Sequence, residues 1–108
     1  MTVTRTVDPA AALAAIADPT RRQILELLSE YGPQSASALA GRMPITRQAI
    51  AKQLRILTDA GLVEADRGGR ELRFDVVAGG VFEAASWLAA TAERWQQRID
   101  RLHRIVDR

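Results

Sequence analysis

Residues 46–55 hold a hydroxyl, two amides and three cationic side chains, and no acid lies among them. Thr46 is the predicted N-cap of a helix, which leaves backbone N–H groups and the positive end of the helix dipole facing outward, where phosphate binds well. Arg47 and Gln48 follow in the first turn. Arginine can bind guanine O6 and N7, and glutamine can pair with adenine N6 and N7. These groups suit recognition of double-stranded DNA.

The same stretch carries an apolar stripe. Ile50, Leu54 and Leu57 recur at i, i+4 and i+7, which predicts that one face of the helix packs on a core. Lys52 and Arg55 lie on the opposite face. A charged outer face of an amphipathic helix is more often simply solvated, and that interpretation is the alternative to DNA contact.

The charge distribution favours a docking surface. The chain has 108 residues and a net charge of only +2, yet residues 42–60 hold four cations against the single acid Asp59. A basic patch on a nearly neutral protein is more typical of a specific contact surface than of a general polycation.

Further candidate contacts surround this helix. Ala51 is small enough to let the helix approach the groove floor or touch a thymine methyl. Arg67 and Arg70 flank a predicted turn and could bind phosphate or the minor groove, although nearby acids also fit a solubility role. The predicted DNA-binding residues are Thr46, Arg47, Gln48, Ala51, Lys52, Arg55, Arg67 and Arg70. For Arg21, Arg22 and Arg42, phosphate contact and simple exposure are both open.

Helices must position these groups. Residues 10–17 read as a short alanine-rich helix, and Asp18-Pro19 predicts the start of a second helix that stops at Gly32. Ser35 is the predicted cap of a third helix, which runs through Met43 and is ended by Pro44. The basic helix follows after a tight connection and ends at Ala60-Gly61, which makes the pair a helix-turn-helix.

A hairpin is predicted directly after the basic helix. Two short strands, at residues 62–66 and 71–77, flank Gly68-Gly69, a pair suited to a tight turn. Alternation in the second strand predicts that Leu72, Phe74 and Val76 face inward. A hairpin at this place makes the helix-turn-helix a winged one.

One long helix is predicted from Val81 to the C-terminus. It carries a heptad-like apolar seam longer than a small core can cover, which predicts a homodimer. The seam consists of Ala85, Leu88, Ala92, Trp95, Ile99, Leu102 and Val106. The aromatic residues Tyr31, Phe82, Trp87 and Trp95 are predicted to be core residues first, with the lining of an effector pocket near the dimer interface as the alternative.

Length and composition favour one mostly α domain over residues 1–108, with about five helices and a hairpin wing. The chain has no cysteine, which excludes disulfides, thiolate metal sites and cysteine nucleophiles. The apolar run at residues 10–17 is too short for a signal peptide or a membrane span, so we expect a cytoplasmic protein without membrane contact.

Two segments make the pattern specific. "LAAIADPTRRQILELL" and "ALAGRMPITRQAIAKQLRILTDAGLVEADRGGRELRFDV" resemble the ArsR/SmtB family of winged helix-turn-helix transcriptional repressors. The resemblance implies a homodimer whose first and last helices form the interface. It also implies that two recognition helices enter successive major grooves of an inverted repeat, with contacts from Arg47, Gln48, Ala51, Lys52 and Arg55.

The sequence also departs from the family. Ala51 and Gln53 stand where members often have serine and histidine, so no operator sequence carries over, and Ala38 replaces the glutamate of a capping box. The metal-sensing cysteine pair is absent. Asp100 and His103 are spaced i, i+3 and could share a face, but a lone histidine on an arginine-rich helix is more often exposed. We predict a member without metal or cofactor.

The predicted function is a dimeric repressor that occupies operator DNA and responds to an unidentified small molecule or partner protein, or to its own concentration. The alternative is a winged-helix interaction module that does not bind DNA, which would require acids or apolar residues on the basic face. An enzyme is poorly supported, because the chain has one histidine and no glycine-rich phosphate loop.

Overall fold

A computed structural model describes residues 8–107 of the chain. They form five helices and three short strands. The helices are α1 (Pro9–Ala17), α2 (Pro19–Tyr31), α3 (Ala36–Ala40), α4 (Arg47–Asp59) and α5 (Ala78–Val106). The strands are β1 (Gln34–Ser35), β2 (Val63–Asp66) and β3 (Arg73–Val76), and they form one antiparallel sheet in the order β1-β3-β2.

Side-chain caps start the helices that lead to the basic face. The Asp18 carboxylate accepts a hydrogen bond from the backbone N–H of Arg21 at 3.0 Å, with Pro19 in the first turn of α2. The Ser35 hydroxyl accepts from the N–H of Ala38 at 3.1 Å and starts α3. Both predicted caps are confirmed, since each satisfies a first-turn donor that the helix itself cannot pair.

The core joins all five helices and the sheet. Its large, fully buried side chains come from α2, α3, α4, the residue before β2 and the first residue of β2: Ile24, Leu28, Leu39, Ile50, Leu54, Leu57, Leu62 and Val63. The buried hydrophobic residues of the terminal helices are small, Ala12 and Ala15 from α1 and Ala84 from α5, and the partly buried Ile16 of α1 packs beside them. Because alanine leaves little side chain between helices, α1 and the beginning of α5 pack closely.

The third helix is shorter than the sequence predicts. It ends at Ala40, and the N–H of Arg42 bonds to the carbonyl of Leu39 at 3.0 Å, which tightens the chain into a turn. Met43, expected at the end of the helix, instead lies in the turn with only 7% of its surface exposed. The turn therefore starts before Pro44 and carries a core side chain.

The hairpin has a wider loop than the glycine pair predicts. The register pairs Asp66 with Arg73, so residues 67–72 form the connection between β2 and β3. Leu72, expected to face inward, is 43% exposed because it lies in this loop, outside the paired strands. Phe74 and Val76 are partly buried and pack against the core, as predicted.

The last helix differs from the prediction in two ways. It begins at Ala78 rather than Val81, because Gly79 and Gly80 form part of its first turn. The aromatic residues are not core residues in the protomer: Trp95 is 66% exposed and Phe82 71%. Helix α1 packs on the beginning of α5, but beyond Ala84 none of the described residues of α5 is buried.

Backbone conformation distinguishes two glycines, which gives a test of the fold. Gly32 ends α2 at φ +77°, where a side chain is strained, whereas Gly79 lies in α5 with open space where a Cβ would stand. We expect Gly32→Ala to lower the free energy of unfolding by about 1–3 kcal/mol, and Gly79→Ala to leave it unchanged or raise it by up to about 1 kcal/mol. Urea unfolding of both variants at one protein concentration measures the difference, and equal effects would contradict the assigned cap.

Candidate nucleic-acid interface

The N-terminus of α4 is built by Thr46. Its hydroxyl accepts a hydrogen bond from the N–H of Ala49 at 3.1 Å, and its carbonyl accepts from the N–H of Ile50 at 3.0 Å. The predicted cap is thus confirmed. The remaining donors of the first turn belong to residues at the exposed end of the helix, where the positive end of the dipole favours an anion.

The two faces of α4 separate as the periodicity predicts. Ile50, Leu54 and Leu57 are fully buried. The polar positions and the small residue between them are exposed, namely Thr46, Arg47, Gln48, Ala51, Lys52 and Arg55. At the other end Gly61, at φ +78°, continues the chain directly into β2. The buried face therefore orients every candidate side chain on this helix toward solvent.

A groove of about 410 Å³ separates the start of α4 from the wing. Arg47, Gln48 and Ala51 line it from α4, and Arg70 lines it from the wing loop. The structure thus brings four of the eight predicted residues together, while Thr46, Lys52, Arg55 and Arg67 lie outside the groove lining. An anion in this groove would meet the arginines of both elements.

Three further residues of the groove did not stand out in the sequence. Ser37, on the exposed side of α3, offers a hydroxyl at its edge, and Glu71 and Leu72 lie beside Arg70. Glu71 reduces the positive potential of the wing, and Leu72 offers an apolar contact. The wider loop places Glu71 and Leu72 in the groove, where the expected tight turn would not, whereas Ser37 comes from α3.

Arg21 does not belong to this surface. Its guanidinium donates from Nε to the carbonyl of Ala15 at 2.8 Å and from Nη1 to Oε1 of Gln53 at 3.0 Å. A third contact, from Nη2 to the carbonyl of Ala14, measures 3.3 Å. The side chain therefore joins α1, α2 and α4.

The other two arginines left open by the sequence have different surroundings. The guanidinium of Arg42 lies 3.6 Å from the centroid of the Tyr31 ring, a cation–π contact between the turn and the end of α2. Arg22 is exposed and lines a second, apolar cavity together with Glu26 and Glu30. Neither one lines the groove between α4 and the wing.

Asp100 and His103 lie three residues apart on α5. His103 is exposed on α5, and the Asp100 carboxylate accepts a hydrogen bond from the amide of Gln96 at 3.0 Å. Within residues 8–107, no three side chains of His, Asp or Glu converge as a metal site would require. In the same range, no helix has the length and apolar character needed to cross a membrane.

Known proteins share this architecture. Residues 16–65 match a family described as a helix-turn-helix domain. The chain is 47% identical over 62 residues to an uncharacterised HTH-type transcriptional regulator, YuzN, of Bacillus subtilis, an alignment that covers 52% of this chain and 67% of that protein.

Solved structures extend the similarity over most of the chain. An ArsR-like transcriptional regulator from Rhodococcus sp. RHA1 superposes with a TM-score of 0.85 at 39% identity, covering 91% of this chain and 89% of the other. A homodimeric winged helix-turn-helix DNA-binding domain, Mb0332 from Mycobacterium bovis, superposes with a TM-score of 0.63 at 27% identity, covering 78% of each chain. With the helix-turn-helix and wing in place, the chain belongs to the ArsR family of DNA-binding transcriptional regulators.

Proposed function

We propose that this regulator is a homodimeric repressor that binds an inverted-repeat operator with α4 in the major groove and the wing beside it. The observation that carries the proposal is the exposed face of α4, where cations and an amide follow a hydroxyl-capped N-terminus. Both recognition helices of a dimer would occupy successive grooves, about 34 Å apart. Occupancy of the operator would block transcription.

The first turn of α4 reads the base edges in this proposal. Arg47 and Gln48 are exposed at the helix end that enters the groove, where arginine suits guanine and glutamine suits adenine. Ala51 lies one turn further on and keeps the approach close. Because Arg47 also lines the groove shared with the wing, its guanidinium can reach either a base or the adjoining phosphate.

The remaining residues supply backbone contacts. Lys52 and Arg55 are exposed further along α4, and Arg67 and Arg70 are exposed on the wing loop. These cations would bind phosphates on either side of the groove, with Arg70 near the first turn of α4 and Arg67 closer to the minor groove. Thr46 would add the N-terminal N–H groups of α4 as a phosphate site.

The exposed face of α5 supports the homodimer. Apart from Tyr31 and Leu72, every large apolar side chain that is exposed within residues 8–107 lies on this helix. So much exposed apolar surface on one helix marks an interaction surface. A second copy would cover it, with α1 beside α5, as the homodimeric state of the M. bovis domain also supports.

The proposal extends to the whole chain. Residues 1–108 would act as one DNA-binding domain in the cytoplasm, without a metal, a cofactor or catalytic activity. Release from the operator would follow the binding of a small molecule or partner protein, or a fall in the concentration of the regulator. A module that only binds proteins is less well supported, because the exposed face of α4 presents cations rather than acids or apolar residues.

The first experiment selects the operator and tests Arg47. A duplex is selected by the wild-type protein from a random library and titrated by fluorescence anisotropy beside a scrambled duplex at several salt concentrations. We expect Arg47→Ala to weaken binding to the selected duplex by about 1–3 kcal/mol and to relax preference at one base pair.

The matched control is Arg101→Ala, which removes an equal charge from α5. Its affinity for the selected duplex is expected to stay near that of the wild type. Equal losses by Arg47→Ala on both duplexes would instead make Arg47 a phosphate contact. Failure of the wild-type protein to enrich any sequence would refute sequence-specific binding.

The second experiment tests the dimer. Ile99, in the middle of the exposed face of α5, is 44% exposed in the protomer. A charge buried between two apolar faces is strongly unfavourable, so Ile99→Glu is expected to yield monomers in sedimentation velocity. Gln97→Glu, which adds the same charge outside the seam, should remain dimeric. A dimeric Ile99→Glu protein would show that the seam is misplaced.

A further inference from the structure

Arg21 is held by hydrogen bonds at its backbone and at its guanidinium. Its backbone N–H bonds to the Asp18 cap at 3.0 Å, and its guanidinium donates to two carbonyls at the end of α1 and to Gln53 on α4. We propose that Arg21 and Gln53 form a positioning clamp that sets α4 relative to α1, and that the clamp is required for operator discrimination rather than only for folding.

The packing around the clamp explains why it is needed. A cavity of about 280 Å³ lies between α1 and α4, and small residues, Ala11, Ala14 and Ala15, line its α1 side. Ile56 and Arg21 close it from the other side. Short alanine side chains provide few apolar contacts to hold one helix against the other, so the hydrogen bonds of Arg21 carry a large share of that positioning.

Gln53 is suited to act without touching DNA. It is partly buried on α4, whereas the neighbouring Lys52 is exposed. Its Oε1 atom accepts a charge-assisted hydrogen bond, the stronger kind, from the Arg21 guanidinium. We therefore assign Gln53 to the body of the protein and treat it as a positioning residue, not as a base contact.

The clamp also connects α4 to α1, the helix that packs against α5. Helix α1 packs against α5 as well as α2, and Arg21 bonds to the last turn of α1. This step rests on the proposed function, in which α1 and α5 form the dimer interface. In a dimer, the spacing of the two recognition helices would then depend on the α1–α4 geometry of each protomer.

The test removes only the link to α4. Gln53→Leu retains the bulk of the side chain and the Arg21 contacts to α1 but loses the acceptor atom. We expect the ratio of affinities for the selected and scrambled duplexes to fall about tenfold, because a displaced α4 would lose about one bidentate base contact. Sedimentation should still show a dimer, and the salt dependence of binding should stay unchanged because no phosphate contact is removed.

Two further variants separate positioning from general stability. Gln53→Glu keeps Oε1 as the acceptor and is expected to restore most of the ratio, even if its added charge weakens binding to both duplexes alike. Gln23→Leu makes the same amide-to-leucine change at an exposed position of α2 and is expected to behave as the wild type.

The outcomes distinguish this inference from the function on which it rests. If wild-type protein discriminates between the duplexes and Gln53→Leu lowers only the melting temperature, with the affinity ratio intact, the clamp is merely structural and the inference is wrong. If the wild-type protein itself shows no discrimination, the proposed function fails first.

Discussion

The burial of one face of α4 is the constraint on which the proposed DNA-binding surface depends. Ile50, Leu54 and Leu57 are fully buried, and each contributes about 1.5–3 kcal/mol through the apolar area it removes from water. The helix cannot rotate about its axis without exposing them. Arg47 and Lys52 are therefore held outward by the burial of these three side chains, and the Thr46 cap fixes where the helix begins.

The parts of the fold that the sequence predicts well depend on short-range contacts. Caps at Asp18, Ser35 and Thr46 bond to N–H groups three residues away, so the local sequence contains both partners. The sequence does not predict strand β1, because this strand pairs with a distant one: Gln34 lies opposite Phe74 of β3. The width of the wing loop likewise follows from the β2–β3 register, which overrides the turn preference of Gly68-Gly69.

Helix α5 shows what periodicity can and cannot establish. The apolar repeat correctly predicts a long helix with one apolar face, but periodicity does not say which chain covers that face. Trp95 and Phe82 would be core residues only in a protomer large enough to bury them, and both are exposed here. A helix of 29 residues is about 43 Å long, and only its first part has buried positions, at Gly80 and Ala84. The apolar face of the rest of α5 can be buried only against a surface outside the protomer.

The arginines show why a basic segment overstates the charge that is free to contact DNA. Arg21, Arg42 and Arg47 are the same residue type, but Arg21 is bonded to α1 and α4, and Arg42 lies over the Tyr31 ring. Of these three, only Arg47 lines the groove beside the wing. A count of cations along the sequence cannot separate these roles, because each depends on an acceptor or a ring supplied by another element. The proposed DNA-binding surface is therefore determined by hydrogen-bond partners as much as by charge.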